Sequence, residues 1–251
     1  MLAEDRNVTR LLGDLADWIH TNRPTGTAHR DEVLKILGGQ WAKMNHLPWD
    51  PDDPCVKVLE EVDKFLQTVR VHTGIFVERA PQRYGFLHLT FQEYYAARHL
   101  INSRRTQASQ IRQHLHDPRW REPILLALGF VGLDYPDDAD ELVRTAILAH
   151  GDLAAEENLT PAPYEDLLGR DFTFALRCLA DEVPVAPPLA RKLLERAVVE
   201  LLNHFGPAQY VSYRSTLTGA FVKLVDTIHQ ITLSEILCAQ PLTGSSEHAR
   251  R

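Results

Sequence analysis

Hydrophobic and polar positions recur with the period of an α-helix over most of this chain. Three amphipathic helices are predicted in the first part, over about residues 7–21, 31–37 and 55–69. The second is expected to stop at Gly38-Gly39, because glycine commonly ends a helix. The segment 48–54, rich in proline and aspartate, is expected to be a rigid loop before the third helix.

The period then changes to that of β-strands. Two short runs, residues 75–78 and 84–89, flank the turn-rich segment 79–83, which predicts a β-hairpin. Directly afterwards, Thr90 and Glu93 fit the S/T-x-x-E capping box, which predicts the start of another helix. His88 is therefore expected where a strand ends and a helix begins.

This position gives His88 candidate chemistry. The first N–H groups of a helix have no partner within the helix and carry a partial positive charge, so they attract anions, including phosphate. A histidine beside them adds a further hydrogen-bond donor. Residue type and position together make His88 a candidate phosphate-binding residue.

The same stretch resembles the Phe-x-His-x-x-Phe-Gln-Glu-Tyr/Phe-x-Ala-Ala signature of the winged-helix segment in NACHT-type STAND NTPases. That group contains animal NOD-like receptors and many bacterial defence proteins. The residues that match are Phe86, His88, Phe91, Gln92, Glu93, Tyr94, Ala96 and Ala97. The resemblance implies that His88 contacts the β-phosphate of bound ADP and keeps the protein in its closed state.

The order of predicted elements agrees with this resemblance, because three helices followed by a hairpin is the order of a winged helix. The resemblance extends over most of residues 8–101 and implies a winged-helix domain at 1–102. The chain is accordingly identified as the C-terminal, winged-helix plus HEAT-like part of a bacterial NACHT-type STAND NTPase. The expected fold class is mainly α, with one short β-hairpin.

Residues 103–240 are almost entirely helical in pattern. Further helices are predicted at about 142–149, 165–182, 187–205, 208–230 and 233–238, which suggests helix pairs stacked as a solenoid. The run from Asp117 to Glu122 resembles the start of HEAT-like helices in bacterial NACHT proteins. No strict repeat period is visible, so a HEAT-like array is implied by resemblance alone. The tail, 241–251, is expected to be disordered.

Composition and charge narrow the classes of function. The net charge of −7 argues against non-specific binding to nucleic acid, which needs a positive field. One region, residues 98–121, is rich in arginine and histidine, and it is either a solvated surface or a patch for phosphate or an acidic partner. The longest apolar run, 124–133, is too short to cross a bilayer, and the chain is expected to be cytoplasmic.

Independent catalysis is not expected. No G-x-x-x-x-G-K-[ST] motif occurs, so this chain is not expected to hydrolyse ATP by itself. The resemblance implies that an NTPase core upstream, on a longer parent protein or a neighbouring polypeptide, would bind ATP or ADP with Mg²⁺. This chain alone is expected to hold no cofactor. Cys55, Cys178 and Cys238 are too widely spaced for a zinc site, and His114 and His116 do not share a helix face. No metal site and no catalytic residue is therefore predicted.

The predicted function is regulatory. The winged helix would sense the nucleotide state of a NACHT ATPase domain, in cis or in trans, and the helical array would bind a protein or other ligand. Oligomerisation of the parent and a role in signalling or anti-phage defence are implied by the resemblance. Two alternatives stay open: a winged-helix transcription regulator that contacts DNA through Arg30, Lys35 and the arginines of 98–121, and a stand-alone helical scaffold.

Overall fold

The computed structural model describes residues 6–148, 153, 163–203 and 211–239. It divides into two compact units, Met1–Ala127 and Leu128–Arg251. The predicted domain boundary at 102/103 stays a prediction. The predicted disordered tail, 241–251, lies outside the described residues.

The first unit combines helices with one small sheet. Its helices are α1 (Arg6–Asn22), α2 (Arg30–Met44), α3 (Val56–Thr73), α4 (Leu89–Leu100) and α5 (Gln107–His114), and its strands are β1 (Thr27–His29), β2 (Phe76–Ala80) and β3 (Arg83–Phe86). A single 3-10 turn, Pro118–Trp120, leads into α6 (Arg121–Asp134). The predicted helices 1 and 3 and the predicted hairpin are all present, with ends shifted by one to four residues.

The sheet has the antiparallel order β1-β3-β2, and β1 was not predicted from the sequence. Gly85 lies in the central strand, where it faces Thr27 on one side and Val77 on the other. A Cβ atom added at Gly85 would lie 2.5 Å from the carbonyl oxygen of Gly26, so β1 can approach only because this residue has no side chain. The order α1-β1-α2-α3-β2-β3 is that of a winged helix, which confirms the predicted fold class.

Helices α1 and α4 form the centre of this unit. The apolar stripe of α1 is almost completely buried through Leu11, Leu12, Leu15 and Ile19. Burying four such side chains stabilises the fold by roughly 1.5–3 kcal/mol each. The elements that flank His88 are therefore fixed to a rigid core.

The prediction that the second helix stops at Gly38-Gly39 was wrong. Helix α2 continues to Met44, and the indole of Trp49 packs over both glycines. A Cβ atom at Gly38 would lie 2.2 Å from the Trp49 ring. These glycines therefore make room for a side chain from the following loop and do not end the helix.

The second unit is helical. Beyond the end of α6 it contains α7 (Pro136–Leu142), α8 (Glu165–Leu168), α9 (Arg170–Ala180), α10 (Pro187–Asn203), α11 (Val211–Leu224) and α12 (Gln230–Ala239). Helix α9 packs against α10 and α11, and α10 packs against α12. A mainly-α chain, with a winged helix followed by a helical array, agrees with the predicted fold class, while the HEAT-like repeat stays a prediction.

Four predicted helices in this unit differ from the structure. The predicted helix 165–182 is interrupted at Gly169, whose φ of +54° is left-handed and whose position leaves room for the ring of Tyr213. The predicted helix 208–230 ends at Leu224, and α12 begins three residues earlier than predicted. In the predicted helix 142–149, Val143–Ile147 is a turn of π-helix. Among the described residues, no helix is long and apolar enough to cross a membrane.

Candidate functional site

His88 lies at the junction between the sheet and α4, as the sequence predicted. Strand β3 ends at Phe86, α4 begins at Leu89, and His88 is the N-cap residue with φ −130° and ψ 149°. The predicted capping box of Thr90 and Glu93 was wrong. Because the helix starts at Leu89, Thr90 already belongs to its first turn and cannot cap it, and no side chain caps α4.

The His88 side chain is exposed and available to a partner. Across the described parts of the chain, its imidazole makes no hydrogen bond, and the backbone N–H groups of Leu89 and Thr90 have no acceptor. Leu87 and Leu89, on either side of His88, are 43% and 60% exposed. The junction therefore combines two N–H groups without a described acceptor, one exposed imidazole and two exposed apolar side chains.

The other residues of the signature are mostly structural. Phe86, Ala96 and Ala97 are buried, as is Tyr95 at the variable position between them, and this burial anchors α4 in the core. The ring of Phe86 packs against Tyr95 with 5.8 Å between centroids. These contacts explain the aromatic and small residues of the signature, while His88 itself is exposed.

Gln92 connects α4 to two other segments through a buried hydrogen-bond network. Its amide donates to Nδ1 of His20 on α1 at 2.9 Å, and Nε2 of His20 donates to the carbonyl of Arg119 at 2.8 Å. A carbonyl only accepts, so the ring proton must be on Nε2, which leaves Nδ1 to accept from Gln92. Arg119 in turn donates from Nη1 to the carbonyl of His20 at 3.3 Å. The signature glutamine thus fixes α4 to α1 and to the segment before α6.

A cavity of about 520 Å³ opens beside the first turn of α4, between the sheet and the segment before α6. Leu89, Gln92 and Glu93 line it, together with four arginines, Arg23, Arg79, Arg119 and Arg121. Three of these arginines are paired with acids: Arg23 with Glu32, Arg119 with Asp117 and Arg121 with Glu122. Burial raises the pKa of the Glu93 carboxyl, against the attraction of His20.

A second ionisable cluster joins α1 to α4. Nδ1 of His99 lies 2.7 Å from Oδ1 of the buried Asp14, and its Nε2 lies 3.8 Å from Asp17. Burial alone would lower the pKa of His99, but the hydrogen bond to Asp14 and the charges of Asp17 and Asp14 outweigh it and raise that pKa. Burial raises the pKa of Asp17, although nearby histidines oppose this. His99, Asp14 and Asp17 together form a charged cluster, here called the clamp, which links α4 to α1 in the core of the first unit.

We expect the stabilisation by this clamp to decline as the pH rises. The pKa of His99 is raised in the folded state, so the folded protein holds this proton more tightly than the unfolded chain does. The contribution is complete below about pH 6.5, the ordinary pKa of histidine, and is lost as the pH rises through the raised pKa. Urea unfolding of the wild type and His99→Gln should show a difference in unfolding free energy that shrinks in this range.

His114→Gln provides the control of opposite sign. Burial lowers the pKa of His114, although Asp17 and Asp117 oppose this. The stability linked to His114 is therefore lost as the pH falls through and below about 6.5. A difference between the wild type and His99→Gln that is constant with pH would contradict the clamp.

Within residues 6–148 and the other described segments, no group of three or more His, Cys, Asp or Glu side chains could hold a metal ion. His114 stacks on Trp120 with 4.0 Å between ring centroids, so its ring is part of an aromatic contact. The three cysteines are free, with Cys178 buried.

Fold and junction together define a winged-helix domain with an exposed histidine at the N-cap of the helix that follows its wing. Residues 2–100 match the family model described as a winged helix-turn-helix domain C-terminal to NACHT. A domain of this type is non-catalytic, and the match supports a regulatory segment of a NACHT protein. Neither the comparison with curated proteins nor that with solved structures gives a significant match.

Sequence reasoning placed His88 at the strand-to-helix junction but missed the residues that hold its surroundings in place. His20 and Gln92 are 72 positions apart, and His99 and Asp14 are 85 positions apart. The sequence did point to Gln92, since it belongs to the signature and lies four residues after His88, one helical turn away. Its partner could not be named without the packing of α1 against α4.

Proposed function

We propose that this chain is the nucleotide-sensing and partner-binding part of a NACHT-type STAND NTPase. In this proposal, His88 donates a hydrogen bond to the β-phosphate of ADP that is bound to a NACHT ATPase domain, in cis or in trans. The contact keeps the two domains together in the ADP state. ATP with Mg²⁺, or a ligand on the helical array, would shift the equilibrium away from this closed state.

The observation that carries the proposal is that hydrogen-bond donors at the His88 junction have no partner among the described residues. The imidazole is exposed and without a hydrogen bond among the described residues, and two unpaired N–H groups follow it at the start of α4. A phosphate placed there would accept a hydrogen bond from the imidazole and would lie at the positive end of the helix dipole. The exposed Leu87 and Leu89 would be buried by the same partner surface, which favours a protein-bound phosphate over a free ion.

The charge distribution favours this proposal over DNA recognition. Arg30 would have to contact DNA if the chain were a transcription regulator, but it is paired with Asp63 of α3 at 2.5 Å. Helix α3 follows α2 as the recognition helix does in a winged helix, yet it carries Glu60, Glu61 and Asp63. The three basic residues of α3 only balance these acids, so the helix lacks the net positive charge that attracts the phosphate backbone. Tight, salt-sensitive binding of duplex DNA by this chain would contradict the proposal.

Further parts of the proposal concern the whole parent protein. The helical array of the second unit would bind a protein or other ligand, and release of the closed state would permit oligomerisation. Bacterial origin, kinship with NOD-like receptors, a cytoplasmic location and a role in signalling or anti-phage defence are carried over from the sequence resemblance. The regulatory role is supported by the matched family description, which places such domains after NACHT.

The test is the rate of ADP release from a protein that contains both the NACHT domain and this chain. His88→Ala should accelerate release about 10- to 100-fold, because a hydrogen bond to a charged group contributes about 1.5–3 kcal/mol. His72→Ala, which removes another exposed histidine from the end of α3, is the matched control and should leave release unchanged. Equal release from the wild type and His88→Ala would refute the sensor role.

A further inference from the structure

Arg79 occupies an irregular position in the hairpin. The pairing of β2 with β3 runs through Glu78 opposite Tyr84 and then jumps to Ala80 opposite Arg83, so Arg79 is the extra residue of a β-bulge. A bulge commonly redirects the side chain of the residue it adds. Here the side chain of Arg79 extends back along the hairpin towards the end of β3.

The guanidinium of Arg79 binds the two carbonyl groups directly before His88. Its Nη2 donates to the carbonyl of Phe86 at 2.6 Å and to that of Leu87 at 2.5 Å, and its Nε donates to Phe86 at 3.2 Å. The N–H of Leu87 donates to the carbonyl of Ile75 at 2.7 Å. The backbone that enters the junction is thus held through the Leu87 N–H by Ile75, the residue before β2, and through two carbonyl groups by the guanidinium.

The N-terminus of α4 is fixed less directly than the rest of the helix, which Gln92 and His99 bind to α1. No side chain caps the helix, and the His88 imidazole makes no hydrogen bond with any described residue. Phe91 N–H donates to the carbonyl of His88 at 3.1 Å, which closes the first turn, and the Phe91 ring lies 6.0 Å from the imidazole between centroids. The direction of the His88 side chain therefore depends on this ring contact and on the backbone at Phe86 and Leu87, where Arg79 is bound.

We propose that Arg79 is a positioning residue, which holds the backbone before His88 so that the imidazole faces the phosphate. The proposal rests on the proposed sensor function of His88. Its chemistry requires arginine, because a planar guanidinium can donate to two carbonyl groups at once, whereas a lysine ammonium is a compact charge without this fixed geometry. Arg79→Lys therefore keeps the positive charge and removes the fork.

The chain provides a matched control in the same hairpin. Arg83 is exposed on β3, and within the described residues its side chain has no hydrogen bond or ion pair. Arg83→Lys and Arg83→Ala thus change charge and size as the Arg79 variants do, without touching the junction. Circular dichroism would confirm that all four variants fold, as expected for exposed residues.

The first experiment follows backbone order in the free chain by NMR. In Arg79→Lys and Arg79→Ala, the amide of Leu87 should exchange with solvent about three- to tenfold faster than in the wild type, and the ¹⁵N heteronuclear NOE of His88 should fall. Both Arg83 variants should match the wild type. Unchanged Leu87 exchange and an unchanged His88 NOE in the Arg79 variants would overturn the positioning role.

The second experiment measures ADP release from the protein that contains the NACHT domain. Arg79→Lys should accelerate release, and Arg79→Lys combined with His88→Ala should release ADP no faster than His88→Ala alone. Additive acceleration would overturn the positioning role, because Arg79 would then act independently of His88. If His88→Ala has no effect on release, the sensor function is refuted. The NMR measurements on the free chain would then still test whether Arg79 holds the junction.

Discussion

Replacing Trp120 by alanine should lower the free energy of unfolding by about 3–5 kcal/mol, the usual loss for a fully buried aromatic side chain. Trp120 is completely buried, and its indole lies between two histidines. His20 meets it edge-on at 4.8 Å, and His114 stacks on it at 4.0 Å. Alanine would leave a cavity beside the Gln92–His20 hydrogen bond, so the loss combines the transfer and cavity contributions.

Urea unfolding followed by circular dichroism would measure this loss. Trp120→Phe should retain most of the stability, because no described residue accepts a hydrogen bond from the buried indole N–H, and phenylalanine lacks this group. Trp18→Ala, at a partly exposed position on α1, should lose less than Trp120→Ala. Equal losses at Trp18 and Trp120 would contradict a core that is centred on Trp120.

Gly85→Ala should destabilise the sheet by about 1–3 kcal/mol, which is typical of forced overpacking. The added Cβ would meet the carbonyl oxygen of Gly26 at 2.5 Å, and a backbone atom cannot rotate away as a flexible side chain can. Strand β1 would have to separate from β3, one residue before Phe86. We therefore expect β1 to be lost first and the His88 junction to loosen with it.

Gly129→Ala is the control for this substitution. It lies inside α6, where an added Cβ meets no atom within 4 Å, so alanine should stabilise the protein by about 0.5–1 kcal/mol through its helix propensity. Amide exchange of Thr27–His29 would report separation of β1 in Gly85→Ala. Unchanged exchange in this strand, with unchanged stability, would contradict the close approach.

Much of the first unit could be predicted from its sequence because its signals are local. Helices α1 and α3 carry apolar residues at helical spacing, and the hairpin lies between clear turn residues. Strand β1 was missed because three residues are too short for a periodic pattern, and the strand exists through pairing with β3. The end of α2 was misplaced because the role of Gly38 depends on Trp49, which comes from a loop eleven positions away.

At the candidate site, too, only features with local signals could be predicted from the sequence. The change of period located His88 correctly, since both flanking elements have strong local signals. The N-cap was assigned to Thr90 because its hydroxyl and Glu93 fit the capping-box spacing, whereas the helix starts earlier without a side-chain cap. A different capping box does occur at α2, where Glu32 accepts from the backbone N–H of His29, and it escaped notice because histidine is not a usual N-cap residue.

The role of Arg79 had no signal in sequence. Its contacts depend on a one-residue bulge in the β2–β3 pairing, and register cannot be read from a run of four or five residues. The same holds for Gln92, whose buried amide needs the partner that α1 supplies. Local patterns predicted where His88 lies, and tertiary packing determines what holds it there.

The central claim is that His88 meets the β-phosphate of ADP on a NACHT domain. A structure of the protein that contains both domains, with ADP bound, would test it most directly. We predict an imidazole nitrogen of His88 about 2.7–3.2 Å from a β-phosphate oxygen, with the first turn of α4 directed at the same phosphate. A bound ADP whose β-phosphate is contacted only by other residues, with His88 facing solvent, would contradict the account.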